Sequence, residues 1–294
     1  MDKNVLYIYM LNNYSIVKHG SKPTWISNER FKDEHPRLSL VTRHINKKKK
    51  YDHILFKDIV PRGSQPKIEV HEWAGKQLSD HFLISATING IKVGSFNMQE
   101  LYGIKKKQIT KEDVIVYFKK CNIASFDFIG LQEVNESNHR GIIQLVKSIL
   151  SEFVNLEMYV SKKRYCGTAV VFNTSKWSLK SGKCISRDEG IPKGATSCLF
   201  KKKGSFTNTI RFTSVHLVSM HCEANHLSYH YCDTVKRNEE MVKYTKTDLG
   251  KKMPHIMVGD FNTENVKKVL GVRISEKKRT RRRKKRVITR KHYK

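Results

Sequence analysis

Eight polar residues stand where apolar strands should begin or end. They are Asp52 in "YDHILF", Asp80 and His81 in "SDHF", Asn97 in "GSFNMQ", Glu133 in "IGLQEV", His216 in "TSVHLV", and Asp260 and Asn262 in "VGDFN". Singly each has an ordinary explanation, since Asp and Asn terminate strands and cap turns. Together they form an inventory suited to phosphodiester hydrolysis. Carboxylate oxygens hold Mg²⁺, and the metal polarises a phosphoryl oxygen. Imidazoles bind the phosphate or shuttle a proton, while an Asp activates water.

The elements that must position these residues are mostly strands. Apolar runs predict strands at 52–56, 82–88, 91–96, 127–131, 168–172, 210–216 and 255–259. Helices are predicted at 110–121, where Thr110 caps "TKEDVIVYFKKC", at 138–153, and near 233–247. Strands outnumber helices and follow one another in pairs, which predicts an α+β layered domain. Asn89-Gly90 between two apolar runs predicts a two-residue hairpin. Its arms carry His81 and Asn97 to the same sheet end, because positions equidistant from a turn face each other.

The charge points to a polyanion. Among 294 residues, 57 Lys+Arg against 27 Asp+Glu leave a net charge of +30, a field that attracts phosphate backbones or anionic membranes. Residues 273–294 hold 13 Lys+Arg and one Glu, a net +12, which leaves +18 for residues 1–272. The run "KKRTRRRKKR" at 277–286 cannot fold alone and reads as a nuclear-localisation signal, a nucleic-acid tether, or both. A second basic stretch, "RHINKKKK" at 43–50, reads as an exposed loop. Asp2 precedes the first apolar run and no small-residue cleavage site follows it, so no signal peptide is read. No apolar run reaches transmembrane length. Six scattered cysteines without that signal predict reduced thiols in a nuclear or cytoplasmic protein. His221, Cys222, His226, His230 and Cys232 use zinc-ligand chemistry, but their spacing matches no common template. A His-rich loop beside a polar site is the better reading.

"SFNMQ", "IGLQEV", "TSVHL", "VGDFN" and "SDHF" resemble signature segments of the endonuclease/exonuclease/phosphatase superfamily, in its deoxyribonuclease I-like branch. The resemblance implies a four-layer α/β/β/α sandwich of two mostly antiparallel sheets. It also implies a Mg²⁺-dependent nuclease, with Mn²⁺ as a substitute and Ca²⁺ as structural support. By resemblance Glu133 is the principal metal ligand, with Asn97 and Asp80 near the metal or its waters. Asp260 orients or deprotonates the attacking water, and Asn262 holds the water or the phosphate. His81 and His216 contact the scissile phosphate, and Asp52 accepts a hydrogen bond from His81. Arg164, Tyr165 and Arg237 are candidate nucleic-acid contacts, together with Lys277, Lys278, Arg279, Arg281, Arg282 and Arg283 of the tail. A nuclear import receptor is a further partner implied by that tail. Two departures stand out. No carboxylate lies in "KKRYCG" (162–167) to pair with His216, and Asn135 stands where the deoxyribonucleases carry Arg.

The order of segments departs from the family as well. "PTW" (23–25), "YDHILF" (51–56) and "SDHF" belong to the family's C-terminal part but come first here. A circular permutation accounts for this, with residues 1–88 moved to the front, residues 91–262 forming the family's N-terminal part, and Asn89-Gly90 joining the two. The domain then spans 1–272 and the basic tail 273–294. Two readings compete with the nuclease. One is a phosphoinositide or sphingomyelin-type phosphoesterase, and the other is an inactive nucleic-acid-binding relative.

Overall fold

Segments apolar on both faces become the inner strands of two stacked sheets. The structure, a computed structural model, describes residues 14–26, 48–73, 78–134, 141–161, 166–186, 194–205, 207–217 and 253–262. Sheet I contains β1 (Ser15–Ile16), β4 (Asp52–Lys57), β11 (Trp177–Ser186), β12 (Gly194–Lys202), β13 (Thr209–His216) and β14 (His255–Asp260), in the order β1-β4-β14-β13-β12-β11. Sheet II contains β5 (Glu69–His71), β6 (Leu83–Ile88), β7 (Ile91–Asn97), β8 (Phe128–Gln132), β9 (Leu156–Tyr159) and β10 (Thr168–Asn173), in the order β5-β6-β7-β8-β10-β9. Short strands β2 (Trp25–Ile26) and β3 (Lys48–Lys49) pair separately. Within sheet I only β13 and β14 run parallel, and within sheet II only β7 and β8 do. Every strand expected from the sequence is present within one residue of its expected ends.

Helix Lys111–Lys120 starts where the sequence says it should. Thr110 Oγ1 accepts from Asp113 N at 3.1 Å and Asp113 Oδ2 accepts from Thr110 N at 2.8 Å, a reciprocal capping box. Glu112 and Asp113 in its first turn and Lys119 and Lys120 in its last complement the helix dipole. The helix expected at 138–153 is seen from Ile142 to Leu150, entered through Gly141 at φ 84. The helix expected near 233–247 lies outside the described residues. Both long helices therefore cover sheet II, and the described residues form a helix layer, sheet II and sheet I.

Three apolar clusters match these layers. Phe96, Phe118, Val146 and Ile149 belong to the one under the helices. Phe128, Phe172, Phe200, Phe212 and Val258 fill the space between the sheets. Tyr14, Leu55, Met257 and Phe261 lie on the far side of sheet I. Strand β14 is buried along its whole length because it faces the last two clusters at once.

The Asn89-Gly90 turn forms as expected. Asn89 at φ 49 and Gly90 at φ 80 are both left-handed, the conformation a type I′ turn demands and Gly adopts without penalty. It fixes the register Ile88↔Ile91 through Ile84↔Ser95. One expectation is corrected. Cys166 and Cys184 are not reduced thiols but a disulfide, with Cα atoms 5.8 Å apart. Their approach comes from the stacking of two sheets, which the linear spacing of 18 does not signal. Cys121 and Cys198 are free and buried. The cluster from His221 to Cys232 lies outside the described residues.

Phe128 is the centre of the inter-sheet layer, with ring centroids 5.0 Å from Phe212, 4.8 Å from Phe200 and 4.9 Å from Trp177. Phe128→Ala is expected to lower the unfolding free energy by about 3–5 kcal/mol. Urea titration checks this, with an unchanged slope showing that the unfolded state is not altered.

Candidate active site

Strand register alone sets one row of the site. His216 on β13 is paired with Asp260 on β14, which is paired with Asp52 on β4. Residues opposite one another on neighbouring strands project to the same face, so these three side chains line one end of sheet I toward sheet II. Sheet II answers from the same end. Asn97 closes β7 opposite Gln132, Glu133 follows directly, and the Ser79–His81 turn leads into β6.

Asp260 Oδ2 is where the two rows meet. It lies 3.6 Å from His81 Nε2 and 3.6 Å from His216 Nε2, and it accepts from Asn97 Nδ2 at 3.1 Å. The same Asn97 amide donates to Glu133 Oε1 at 3.1 Å, and Glu133 Oε1 lies 3.7 Å from His216 Nε2. Asp80 Oδ1 lies 3.9 Å from His81 Nε2, and His81 Nδ1 is 2.8 Å from Asp52 Oδ2. Asn262 donates its backbone N–H to Asp260 Oδ1 at 2.8 Å and its side-chain amide to Leu217 O at 2.8 Å. The eight residues singled out in the sequence thus converge. The loop contacts Arg164, Tyr165 and Arg237 and the tail residues Lys277, Lys278, Arg279, Arg281, Arg282 and Arg283 lie outside the described residues.

Sequence reasoning quoted the segments that hold Asp80 and Asp52 but gave their supporting residues no role. Trp25 Nε1 donates to Asp80 Oδ2 at 2.8 Å, and Gln99 Oε1 accepts from Asp80 N at 3.2 Å. Ser79 Oγ donates to Asn97 O at 2.7 Å and accepts from His81 N at 3.1 Å, tying the two arms of the hairpin together. Thr24 Oγ1 accepts from both Tyr51 N and Asp52 N. Thr24, Trp25 and Ser79 sat inside quoted segments, "PTW" and "SDHF". Their hydroxyl and indole groups were the available signal.

The backbone around the site is held in uncommon conformations. Glu133 at φ 54 and Asn262 at φ 50 are left-handed, which costs a non-glycine residue roughly 1–2 kcal/mol. The Asn262 turn is closed by the Asp260 carboxylate, and the Glu133 turn by Val134 N donating to Gly167 O at 3.0 Å. Gly259, just before Asp260, has φ 155, and a Cβ there would sit 1.9 Å from Val215 O. Only glycine lets β14 approach β13 at that point.

Electrostatics follow from burial. Asp52 is fully buried at 0% exposure and Asp260 is nearly so at 3%, whereas Glu133 is 30% exposed, so the site opens to solvent at Glu133. Burial disfavours charge on His81, but the carboxylates of Asp52, Asp260 and Asp80 outweigh it and hold the imidazole well above its ordinary pKa. Four carboxylates against two imidazoles leave the site short of positive charge. Asp52, His81 and Asp260 offer donor atoms within 4.8 Å of one another, and buried Asp52 Oδ1 has no hydrogen-bond partner among the described residues. The four carboxylates of Asp52, Asp80, Glu133 and Asp260 together make an oxygen-rich site that fits a hard divalent cation such as Mg²⁺ or Mn²⁺.

A family model described as the Endonuclease/Exonuclease/phosphatase family matches residues 94–266. No curated protein matches the chain. Among solved structures, a humanized D. rerio TDP2 is similar at 14% identity and TM-score 0.44, covering 62% of this chain and 70% of that one. The human Nocturnin catalytic domain is similar at 17% identity and TM-score 0.45, covering 64% and 69%. The Bacteroides thetaiotaomicron mannosyl-6-phosphatase is similar at 16% identity and TM-score 0.45, covering 62% and 70%.

Two outcomes are expected from this geometry. In the metal-free protein, NMR titration should find His81 still charged at neutral pH, and Asp52→Asn should lower its pKa. A raised pKa means that the folded state holds the proton more tightly than the unfolded chain. The pair's stabilisation is therefore complete below about pH 6.5 and fades as pH rises through the folded value. Gly259→Ala should destabilise the fold by more than about 3 kcal/mol, since it collides with backbone at a φ that only glycine tolerates. Thermal melts check this second effect.

Proposed function

The chain belongs to the endonuclease/exonuclease/phosphatase family of phosphoester hydrolases, and from that premise we propose that it is a divalent-metal-dependent nuclease. The observation that carries the reading is the position of Asp260 Oδ2, flanked by two imidazoles at 3.6 Å each and braced by the Asn97 amide. A carboxylate between two imidazoles can take a proton from water while the imidazoles face the phosphate that the water attacks.

Glu133 and Asp80 would hold the cation, with Asn97 bracing Glu133 from the side. When bound, such a cation supplies positive charge to a phosphoryl oxygen. Asp260 orients and deprotonates the attacking water. Its Oδ1 accepts from Asn262 N, whereas Oδ2, braced by Asn97 Nδ2, faces both imidazoles and is the oxygen placed to act as the base. His81, kept charged by Asp52, stabilises the negative charge that builds on the phosphoryl oxygens. His216 protonates the departing oxygen. The net charge of +30 supports a nucleic-acid substrate, because phosphate backbones bind by charge before any base is read. Within this reading the basic run at 277–286 adds affinity and directs the chain to the nucleus.

We further propose that the chain order is circularly permuted. The family match begins at residue 94, yet Asp52 is paired with Asp260, Asp80 N donates to Gln99 Oε1, and His81 Nε2 lies 3.6 Å from Asp260 Oδ2. Tyr14 and Phe261 share one apolar cluster, which supports adjacency of the two distant segments.

Nicking of supercoiled plasmid in Mg²⁺, with a structured RNA alongside, tests the nuclease. Glu133→Ala and His81→Ala should each lose activity by about 10²–10⁴-fold. Glu133→Ala should keep the wild-type melting curve, whereas His81→Ala, which leaves Asp52 buried without its partner, should also melt lower. If the wild type cleaves neither polymer with Mg²⁺ or Mn²⁺, the nuclease reading fails. Co-expressed fragments 1–89 and 90–294, cut at the exposed turn, should copurify and restore cleavage. Fragments that do not associate would remove the case for a movable chain break at that turn.

A further inference from the structure

The disulfide lies against the turn that carries Glu133, and the segment between them is short. Cys166 is followed by Gly167, at φ 62, whose carbonyl accepts from Val134 N at 3.0 Å. Val134 follows Glu133, so this hydrogen bond closes the left-handed turn at φ 54. The next residue, Thr168, is paired with Gln132, so both flanks of Glu133 are fixed by the start of β10. Among the described residues Cys166 Sγ also lies 3.3 Å from Ala195 O on β12, and the sulfur bridge is its covalent tie to sheet I. Cys184 sits on β11, the edge strand of sheet I, beside Thr196 of β12. Thr196 Oγ1 in turn donates to Thr168 O at 2.8 Å. Cys166, Gly167, Thr168, Thr196 and Cys184 thus form a closed strap from sheet I to sheet II behind Glu133. Gln132 Nε2 adds a parallel tie by donating to Ser214 Oγ at 3.0 Å.

The strap also has a chemical side. Cys166 is only 4% exposed, whereas Cys184 is half-buried on the edge strand of sheet I among the described residues, so Cys184 is the more accessible of the two. In compartments kept reducing, disulfides are rare and those that occur are mostly transient or redox-sensing. A chain with a basic run of the nuclear-address type and a disulfide behind its site joins these two conditions.

We propose that the Cys166–Cys184 disulfide is a redox-dependent positioning device for Glu133, holding it in place for the cation when oxidised and releasing it when reduced. The proposal rests on Glu133 being a metal ligand, as inferred above. The thiolate of a thiol reductant such as glutathione attacks Cys184 Sγ, and the sulfur–sulfur bond breaks with Cys166 leaving as thiolate, which takes up a proton. A second reductant thiolate then attacks the mixed disulfide. Cys184 is released as a thiol and the reductant leaves as its own disulfide, for a balance of two electrons and two protons. With the covalent tie to β11 cut, Cys166 and Gly167 are held by hydrogen bonds alone, and Glu133 can more readily leave a conformation that its own backbone disfavours.

The test uses the full chain, oxidised with glutathione disulfide or reduced with dithiothreitol and then desalted without air. Alkylation and mass spectrometry count the thiols, Mn²⁺ titration followed by electron paramagnetic resonance gives the metal affinity, and hydrogen exchange follows the Val134 amide. Reduction should weaken Mn²⁺ binding by about 10- to 100-fold, the range for loss of a group that orients a ligand. It should also speed Val134 exchange, and both changes should reverse on reoxidation. Cys184→Ser should show the weak affinity in both conditions, and Cys121→Ser should respond as the wild type does. Equal affinity and equal Val134 exchange in the two states would overturn the proposal. So would an oxidised sample in which alkylation finds both thiols free. If Mn²⁺ binds neither state, the reading of Glu133 as a ligand fails. The Val134 exchange then decides separately whether the bond holds this turn.

Discussion

Asp260 Oδ2 has two imidazole nitrogens at 3.6 Å and an amide donor at 3.1 Å, and it is almost wholly removed from solvent. A buried carboxylate is tolerable only if its charge is matched on several sides. Each partner arrives from a different part of the chain: His81 from the turn before β6, Asn97 from the end of β7, and His216 from the end of β13. The fold is the means of satisfying that one oxygen. Parallel pairing of β13 with β14 puts His216 beside Asp260, and antiparallel pairing of β14 with β4 puts Asp52 on the other side. A one-residue slip in either pairing would turn a charged side chain toward the apolar cluster beyond sheet I.

The local costs are offset by the rigid layers behind the site. Left-handed Glu133 and Asn262 are held by hydrogen bonds that exist only while β10 and β13 keep their places. Gly259 removes the one Cβ that would keep β14 from its parallel neighbour. The aromatic layer around Phe128 keeps the sheets at a fixed separation, so Gln132 can reach Ser214 across the gap. Strain at the mouth is stable because the interior is close-packed and cannot relax toward it.

Much of this was legible in the sequence for one reason: a strand buried on both faces must be apolar throughout. Segments such as "HILF", "FIGLQ" and "HIMVG" therefore declare themselves, and a charged residue ending such a run is conspicuous. β11 and β12 were not legible. "WSLKSGKCIS" carries Lys, Ser and Gly because β11 is the edge of sheet I among the described residues, and lysines guard such edges. The disulfide was hidden for a different reason. It depends on how one sheet sits on another, whereas sequence periodicity reports only each strand's own two faces. Trp25 stood in the quoted "PTW" without a role, because the partner of its N–H, Asp80, is 55 residues away and is set by the fold.

The position of the hairpin explains how a permuted order would be compatible with an intact site. His81 and Asn97 lie at one end of β6 and β7, and Asn89-Gly90 closes the other end. At about 3.4 Å per residue, strands of six and seven residues put roughly 20 Å between that turn and the polar cluster. β6 and β7 are paired from Ile84↔Ser95 to Ile88↔Ile91, so their pairing does not depend on which ends are covalently joined. The turn adds only local chemistry, two left-handed residues that Asn and Gly accept at little cost. The groups that set His81 against Asn97 are elsewhere: Ser79 Oγ bridges them at 2.7 Å and 3.1 Å at the site end of the sheet. Chain connectivity and active-site geometry are thus settled at opposite ends of the same pair of strands, which is why one can change without disturbing the other.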